Sequence, residues 1–272
     1  MRKTILITGA SRGFGKLWAK TFLERGDKVA ATARRLSDLD DLIKEFGDLI
    51  TPIQLDVTDR TKTFEAVQYA ETALGGIDVL INNAGFGLFG TIEETSEEEA
   101  RQQIETNVFG LLWVTQAVLP IMRKQGQGHI IQLSSALGLT SLPTLGIYSA
   151  SKFAVEGLSE ALAAEVADFG IKVTILEPNG FATDWPGASA SKSKPMQEYE
   201  AVHQAFQNNG KPSDYGDPAA TPPALLALVD SANPPSRLFL GNMAYPWIKY
   251  VYEQKLAVWE EWKDVSAAAH GK

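Results

Sequence analysis

The stretch that most restricts the fold lies at the start of the chain. A short apolar run over residues 4–8 leads into Gly9-Ala10-Ser11-Arg12-Gly13-Phe14-Gly15, and Leu17, Trp18, Phe22 and Leu23 follow at helical spacing. An apolar run without polar alternation fits a strand buried on both faces of a parallel sheet. Glycines between such a strand and a helix let the backbone approach a pyrophosphate, and the helix start offers free N–H groups at the positive end of a dipole. The spacing is Gly-x-x-x-Gly-x-Gly, not the Gly-x-Gly-x-x-Gly of the common dinucleotide fingerprint. A plain strand–helix turn could use the same residues, so the flanking strand and helix carry the phosphate-binding reading.

Parallel strands need helical crossovers, and the chain supplies them. Further strands are expected at residues 28–33, 49–55, 78–81, 128–133, 171–177 and 237–241. Helices are expected at 61–74, from Ser96 to Met122, after Tyr148 and near 218–229. This alternation predicts an α/β fold, a doubly wound parallel sheet of about seven strands flanked by helices. At 272 residues, with no second-domain signal, residues 1–272 read as one catalytic domain. Residues 184–217 mix Ser, Lys, Gly and Pro and read as a loop or substrate lid. Residues 245–266 carry Trp247, Tyr250, Tyr252, Trp259 and Trp262 on a helical pattern, and burial of that stripe in a docking helix is expected.

Composition removes several classes of function. A formal charge of -8, from 33 acidic and 25 basic residues, argues against a broad nucleic-acid surface. Without cysteine there is no disulfide, thiolate nucleophile or Cys-ligated metal, and His129, His203 and His270 share no ligand spacing, so no metal site is expected. The basic start and its apolar run superficially resemble a signal peptide, but the run ends in the glycine loop. No stretch approaches the ~20 apolar residues of a membrane span, so a soluble, cytoplasmic protein with no membrane partner is expected.

Several positions carry candidate chemistry. Tyr148 and Lys152 lie four residues apart and share a helix face, where a nearby ammonium can lower a phenol's pKa by roughly 1 to 3 units. A tyrosine packed on a lysine stem would look the same in sequence. The strand at 28–33 ends without the acidic residue that would favour NAD, and Arg34 and Arg35 follow, groups suited to a 2'-phosphate. Arg12 can reach the same phosphate, while Arg35 can equally be a solvated surface residue. Asp56 is a candidate acceptor for the adenine amino group, and Asp59 a helix N-cap. Asn82-Asn83-Ala84-Gly85 is small enough for a cofactor to cross the strand end. Asn107 interrupts an apolar helix, and Ser134 and Ser135 end the strand at 128–133.

Together, Thr8-Gly9-x-x-x-Gly13-x-Gly15, Asn82-Asn83-Ala84-Gly85, Asn107, Ser135 and Tyr148-x-x-x-Lys152 resemble the short-chain dehydrogenase/reductase family, in the family's order from Thr4 to about Gly241. The 13-residue interval to Tyr148 favours Ser135 over Ser134. The resemblance implies a Rossmann-type sheet and a catalytic set of Ser135, Tyr148, Lys152 and Asn107. In that set Tyr148 is the proton donor, Ser135 holds the carbonyl oxygen, Lys152 holds ribose hydroxyls, and Asn107 positions a water linking Lys152 to solvent. It further implies NADP(H), preferred through Arg12 and Arg34, along Gly9, Ser11, Arg12, Gly13, Phe14, Gly15, Arg34, Arg35, Asp56, Val57, Asn83, Ala84, Gly85, Tyr148, Lys152, Pro178, Gly180, Phe181 and Thr183. Asn179 stands where many members have the glycine of Pro-Gly. The expected activity is NADPH-dependent reduction of an apolar ketone or aldehyde, in a pocket of Phe86, Leu137, Leu142, Phe181 and Trp185. The alternatives are NADP-dependent oxidation of a secondary alcohol and a non-catalytic NADP-binding sensor or scaffold. A small-molecule partner and a homodimer or homotetramer, built through the long helices, are also implied.

Overall fold

A computed structural model describes residues 2–183, 185, 187, 190–209 and 214–271. Within them the strands in chain order are Thr4–Ile7 (β1), Lys28–Ala33 (β2), Ile50–Gln54 (β3), Val79–Asn82 (β4), Leu88–Phe89 (β5), Gly128–Leu133 (β6), Ile171–Pro178 (β7), Ser191–Lys192 (β8) and Arg237–Leu240 (β9). Seven of them form one sheet in the order β3-β2-β1-β4-β6-β7-β9. Every neighbouring pair is parallel, with Ile5 of β1 opposite Val29 on one side and Val79 on the other. Ile5, Leu6 and Ile7 are all buried, as a strand without alternation requires when both faces are covered.

The helices are Gly13–Arg25 (α1), Asp40–Phe46 (α2), Arg60–Leu74 (α3), Glu97–Ile104 (α4), Leu111–Gln125 (α5), Gly146–Val166 (α6), Glu200–Asn209 (α7), Pro222–Asp230 (α8), Ala244–Glu261 (α9) and Lys263–Ala268 (α10). On one face of the sheet α1 and α8 bury Trp18, Phe22 and Leu225 against Ile5, Ile7 and Ile81. On the other, α3, α5 and α6 bury Val67, Val118 and Leu162 against Leu6, Leu80 and Ile130. Strand order turns back between β1 and β4, and the carboxyl ends of strands at such a switch point open a crevice. Asp59 caps α3 through the Lys62 amide at 3.0 Å, as expected, and Ser96 with Glu99 forms a capping box at the start of α4.

Three features depart from the sequence reading. The parallel pair of β5 and β8 is too short to leave a periodic signal, yet it ties the loop after β4 to the 191–192 segment. The helical run Glu97–Gln125 is long and apolar enough, by length and composition, to cross a bilayer, although half of its apolar window is buried inside the protein. The aromatic stripe of the tail is mostly uncovered. Ala244 and Ile248 are buried, but Tyr245, Tyr250, Trp259 and Trp262 are about 60% exposed, and every described residue from Leu256 onward is exposed. The body supports α9 only over its first turns, so the apolar pattern continues past the surface beneath it.

Candidate active site

The crevice is built by three loops at the strand ends. Thr8 Oγ1 accepts the Asn83 and Ala84 amides at 3.0 Å each, while the Asn83 side-chain amide donates to the Thr8 and Gly9 carbonyls at 2.9 Å each. Gly9 has φ +67, and a Cβ there would stand 2.9 Å from Ala84 Cα. A Cβ on Gly15 would meet the Gly9 carbonyl oxygen at 2.3 Å, so this glycine allows α1 to pack beneath the loop and does not itself line the crevice. The loops thus leave an open, backbone-lined cradle at a helix start, which fits a dinucleotide pyrophosphate.

Ser135, Tyr148 and Lys152 converge on the far wall. The Ser135 hydroxyl lies beside the Tyr148 phenol and lowers its pKa, and Ser135 Oγ accepts the Leu137 amide at 3.1 Å. Ser134 instead buries a hydroxyl with no partner among the described residues. Tyr148 and Lys152 are 5% and 6% exposed. Lys152 Nζ donates to the Leu133 carbonyl at 2.7 Å and lies 5.8 Å from the Tyr148 ring centroid. Burial lowers the Lys152 amine to about 8, with the Glu156 carboxylate acting in the opposite direction. The expected depression of Tyr148 by Lys152 does not appear in the protein alone. Burial raises the phenol well above its ordinary value, and only the Ser135 hydroxyl pulls it down.

Asn107 lies in a π-helical turn, Glu105–Gly110, between α4 and α5. The wider turn re-aims its side chain, a common role for such turns at functional sites. Its Oδ1 accepts the Phe86 amide at 3.1 Å, and its Nδ2 donates to the Phe86 carbonyl and to Ser151 Oγ, each at 3.1 Å. Ser151 Oγ in turn donates to the Tyr148 carbonyl at 2.6 Å. The amide clamps the loop after β4 to α6 and makes no bond to Lys152.

These groups face one cavity of about 2090 Å³. Of the residues expected there, Gly9, Ser11, Arg12, Gly13, Phe14, Arg34, Asp56, Val57, Asn83, Ala84, Gly85, Pro178, Gly180 and Thr183 line it; Gly15, Arg35 and Asn107 do not. Arg35 turns outward and pairs with Asp38 at 2.9 Å. Arg12 and Arg34 are exposed, with no ion pair to any described carboxylate. One Asp56 oxygen accepts the Thr58 amide and hydroxyl at 3.1 and 2.8 Å, so it is shared with its own turn. Asn179 needs no left-handed backbone; its Nδ2 donates to the Gly180 carbonyl at 2.8 Å, in space left by Gly241.

The apolar part of the cavity differs from the sequence reading. Phe86, Leu137, Leu142 and Trp185 line it, and the Trp185 ring lies 4.9 Å from that of Tyr148. Phe181 packs edge-on to Phe14 at 5.2 Å and joins the core beneath the glycine loop, so it borders the cradle instead of the phenol. Phe89, Leu145, Phe206 and Trp247 complete the wall around Tyr148. Trp247 was readable only as part of the inward α9 face with Ala244 and Ile248; Phe206 gave no signal of its long-range contact.

A buried carboxylate fastens this wall. Glu94, its side chain 0% exposed, accepts the Thr91 and Met196 amides at 2.8 Å each and His203 Nε2 at 2.8 Å. Burial alone would raise it, but the hydrogen bonds from His203, Met196 and Thr91 win and lower it to about 2. Tyr199 donates to Glu93 at 2.5 Å beside it. The expected lid over 184–217 is therefore pinned at 191–192, 196, 199 and 203; residues 184, 186, 188, 189 and 210–213 lie outside the described residues.

Comparison with known proteins agrees with this architecture. Residues 3–194 match the family model described as short chain dehydrogenase. An oxidoreductase of Botryotinia fuckeliana is 38% identical, covering 99% of this chain and 100% of its own. A 3-ketodihydrosphingosine reductase of Bacteroides thetaiotaomicron is 39% identical over 88% of each chain. The crystal structure of a short-chain dehydrogenase from Streptomyces avermitilis superposes with a TM-score of 0.91 at 38% identity, covering 98% of both chains. A short-chain dehydrogenase from Burkholderia cenocepacia, solved with NADP, reaches 0.75 at 26% identity and covers 96% of this chain and 97% of its own. With the glycine cradle, the Ser135, Tyr148 and Lys152 wall and these relatives in agreement, the chain belongs to the short-chain dehydrogenase/reductase family of nicotinamide-dependent oxidoreductases.

Proposed function

We propose that the protein is an NADPH-dependent ketone or aldehyde reductase acting on an apolar substrate. The observation that carries this reading is the buried Tyr148 phenol, held protonated, set beside Ser135 and walled by Trp185, Leu137, Leu145 and Trp247. A reduced nicotinamide, when bound, supplies the hydride for the carbonyl carbon. Ser135 orients the carbonyl oxygen by hydrogen bonding, and Tyr148 gives that oxygen its proton. Lys152 holds positive charge behind the phenol, and Asn107 keeps the loop after β4 fixed on α6. The same residues would serve alcohol oxidation in reverse, with Tyr148 accepting the proton instead of giving it. Arg12 and Arg34 at the cradle's end, with no ion pair among the described residues, support the 2'-phosphate of NADP. The Bacteroides relative, named for reducing a 3-keto group, supports carbonyl reduction. A homodimer or homotetramer would cover the exposed Phe109, Phe153, Leu158 and Phe169 of the long helices and their ends.

NADPH oxidation followed by absorbance across a panel of apolar ketones and aldehydes tests the reading. Tyr148→Phe is expected to lose about 10²- to 10⁴-fold in kcat, the usual contribution of a general acid. Full turnover by that variant would sink the mechanism. Arg34→Asp is expected to lower the NADPH over NADH preference roughly 10- to 100-fold, the worth of a charge-assisted hydrogen bond. An unchanged ratio would refute the cofactor assignment.

A further inference from the structure

Hydride transfer leaves one buried charged cluster unused. The Arg237 guanidinium donates to Glu156 at 2.5 Å, to Glu160 at 2.5 Å and to Glu177. Glu177 and Glu156 have side chains 0% and 7% exposed, whereas that of Glu160 is 66% exposed. Glu156 Oε1 and Glu177 Oε2 find no donor among the described residues, and the two carboxyls meet at one nitrogen, Arg237 Nη1. A proton shared between them would satisfy both. Burial and the Glu156 charge raise Glu177 well above the usual carboxylate range, outweighing Arg237, so the pair retains a proton at pH values where an exposed glutamate has lost it.

The cluster lies directly behind the catalytic wall. Glu156 follows Lys152 by four residues on α6, so the two share a helix face. A Cβ on Gly138 would fall 2.7 Å from Glu156 Oε1 and 2.5 Å from Ser134 Oγ, which puts the carboxylate under the loop carrying Ser135. We propose that the Glu156, Glu177 and Arg237 cluster is a positioning device for Lys152, supplying negative charge one helical turn beneath its amine so that it stays an ammonium over the working pH range. Glu156 provides the standing charge. Glu177 releases its proton as the solution becomes alkaline and adds a second negative charge when Lys152 is closest to losing its own. Arg237 holds both carboxylates in place.

The other charges around Lys152 do not compete for this role. From α6 come only Tyr148, Glu156 and the solvent-facing Glu160; β7 contributes Glu177 and β9 Arg237. The π turn presents the uncharged Asn107 and, exposed to solvent, Glu105; on α4 Glu98 is exposed, and Glu97 and Arg101 pair with each other at 2.7 Å in solvent. Lys255 of α9 spends its ammonium on the Leu139 carbonyl at 2.9 Å.

The inference rests on Lys152 acting as the cation of the proposed reductase, so two readouts separate the claims. The first is the pH profile of kcat/KM for ketone reduction by the whole protein. Glu156→Gln should move the alkaline limb down by roughly one unit, read as about a tenfold loss at alkaline pH with less than about a twofold change at pH 6. Glu156→Asp should recover most of it, and Glu177→Gln should depart from the parent only above neutrality. The second is the Lys152 side-chain NMR titration in protein without substrate, assigned with Lys152→Arg, which should shift downward in Glu156→Gln. Unmoved lysine titration and an unmoved limb in folded Glu156→Gln and Glu177→Gln would overturn the proposal. If the parent reduces no carbonyl, the reductase reading fails and the lysine titration alone decides this one. If Glu156→Gln does not fold, Glu156→Asp and Glu177→Gln decide it, and a parent-like profile in both would refute it.

Discussion

The floor and the roof of the cavity are built differently. The floor, with Ser135, Tyr148 and Lys152 and with Asn107 bracing it from behind, stands on the end of β6, on α6 and on the π turn, elements packed into the sheet. The roof, with Trp185, Phe206 and His203, comes from the 185–209 segment, joined to the body by a two-residue strand pair and the Glu94 and Glu93 contacts. Each part is tied by a buried carboxylate whose side chain is 0% exposed, and the two carboxylates titrate in opposite directions. Glu94 is surrounded by hydrogen-bond donors and stays ionised; Glu177 shares a single guanidinium with two other carboxylates and keeps a proton. Burial acts on both alike, so the donor count and the neighbouring charge decide the sign. The floor is fixed by the sheet, whereas the roof is held by a few side-chain and strand contacts.

The comparison would break most visibly at Arg237. Arg237→Leu leaves Glu156 and Glu177 buried without their cation, an arrangement that costs about 3–5 kcal/mol in comparable buried pairs and roughly 6–20 °C in Tm for a chain of this size. Calorimetry or thermal circular dichroism measures it. A Tm within a degree or two of the parent would mean that the pair simply protonates and that the guanidinium adds little to the floor's stability.

A smaller loss is expected at the roof. Glu94→Ala strips the Thr91 and Met196 amides and His203 of their acceptor, but the space left by the carboxylate admits water to them, so the net loss is about 1–3 kcal/mol in all. Loosening the wall should raise KM for apolar ketones several-fold, with kcat changed by less than about twofold, because Tyr148 is held elsewhere. Equal losses in kcat and kcat/KM would show that the roof orients the reacting carbonyl and that the division drawn above is too sharp.

The same division explains what the sequence disclosed. Ser135, Tyr148 and Lys152 were legible because they sit at a strand end and at one helical spacing, geometry that the local chain fixes. The glycine loop was legible because its neighbours form a strand and a helix. Phe206 and Glu94 were not, and Trp247 only as one member of a stripe, since each acts through contacts with chain that lies far away, and no periodicity records that. The tail misled for a related reason: an apolar stripe reports which face would be buried, but not how far the body extends beneath it, and the support ends before Leu256. Arg35, open in the sequence between a phosphate and solvent, pairs with Asp38 at i+3 on the surface.

The finest contrast is in the pH dependence of stability. Glu94 is lowered from 4.5 to about 2 in the folded protein, so it contributes stability that is fully present above about pH 4.5 and is lost as pH falls toward 2. Glu177 is raised above 4.5, so its folded form binds the proton more tightly than the unfolded chain does, and stability from this site declines as pH rises from 4.5 through its elevated value. Urea midpoints measured between pH 3 and 8 should therefore lose their acid-side slope in Glu94→Gln and their neutral-side slope in Glu177→Gln. The second effect is the smaller, because part of the proton is shared with Glu156 and Arg237 opposes its uptake. A Glu177→Gln curve parallel to the parent's from pH 5 to 8 would mean that Glu177 carries its full charge in the folded protein, and the two carboxylates would then differ only in their partners.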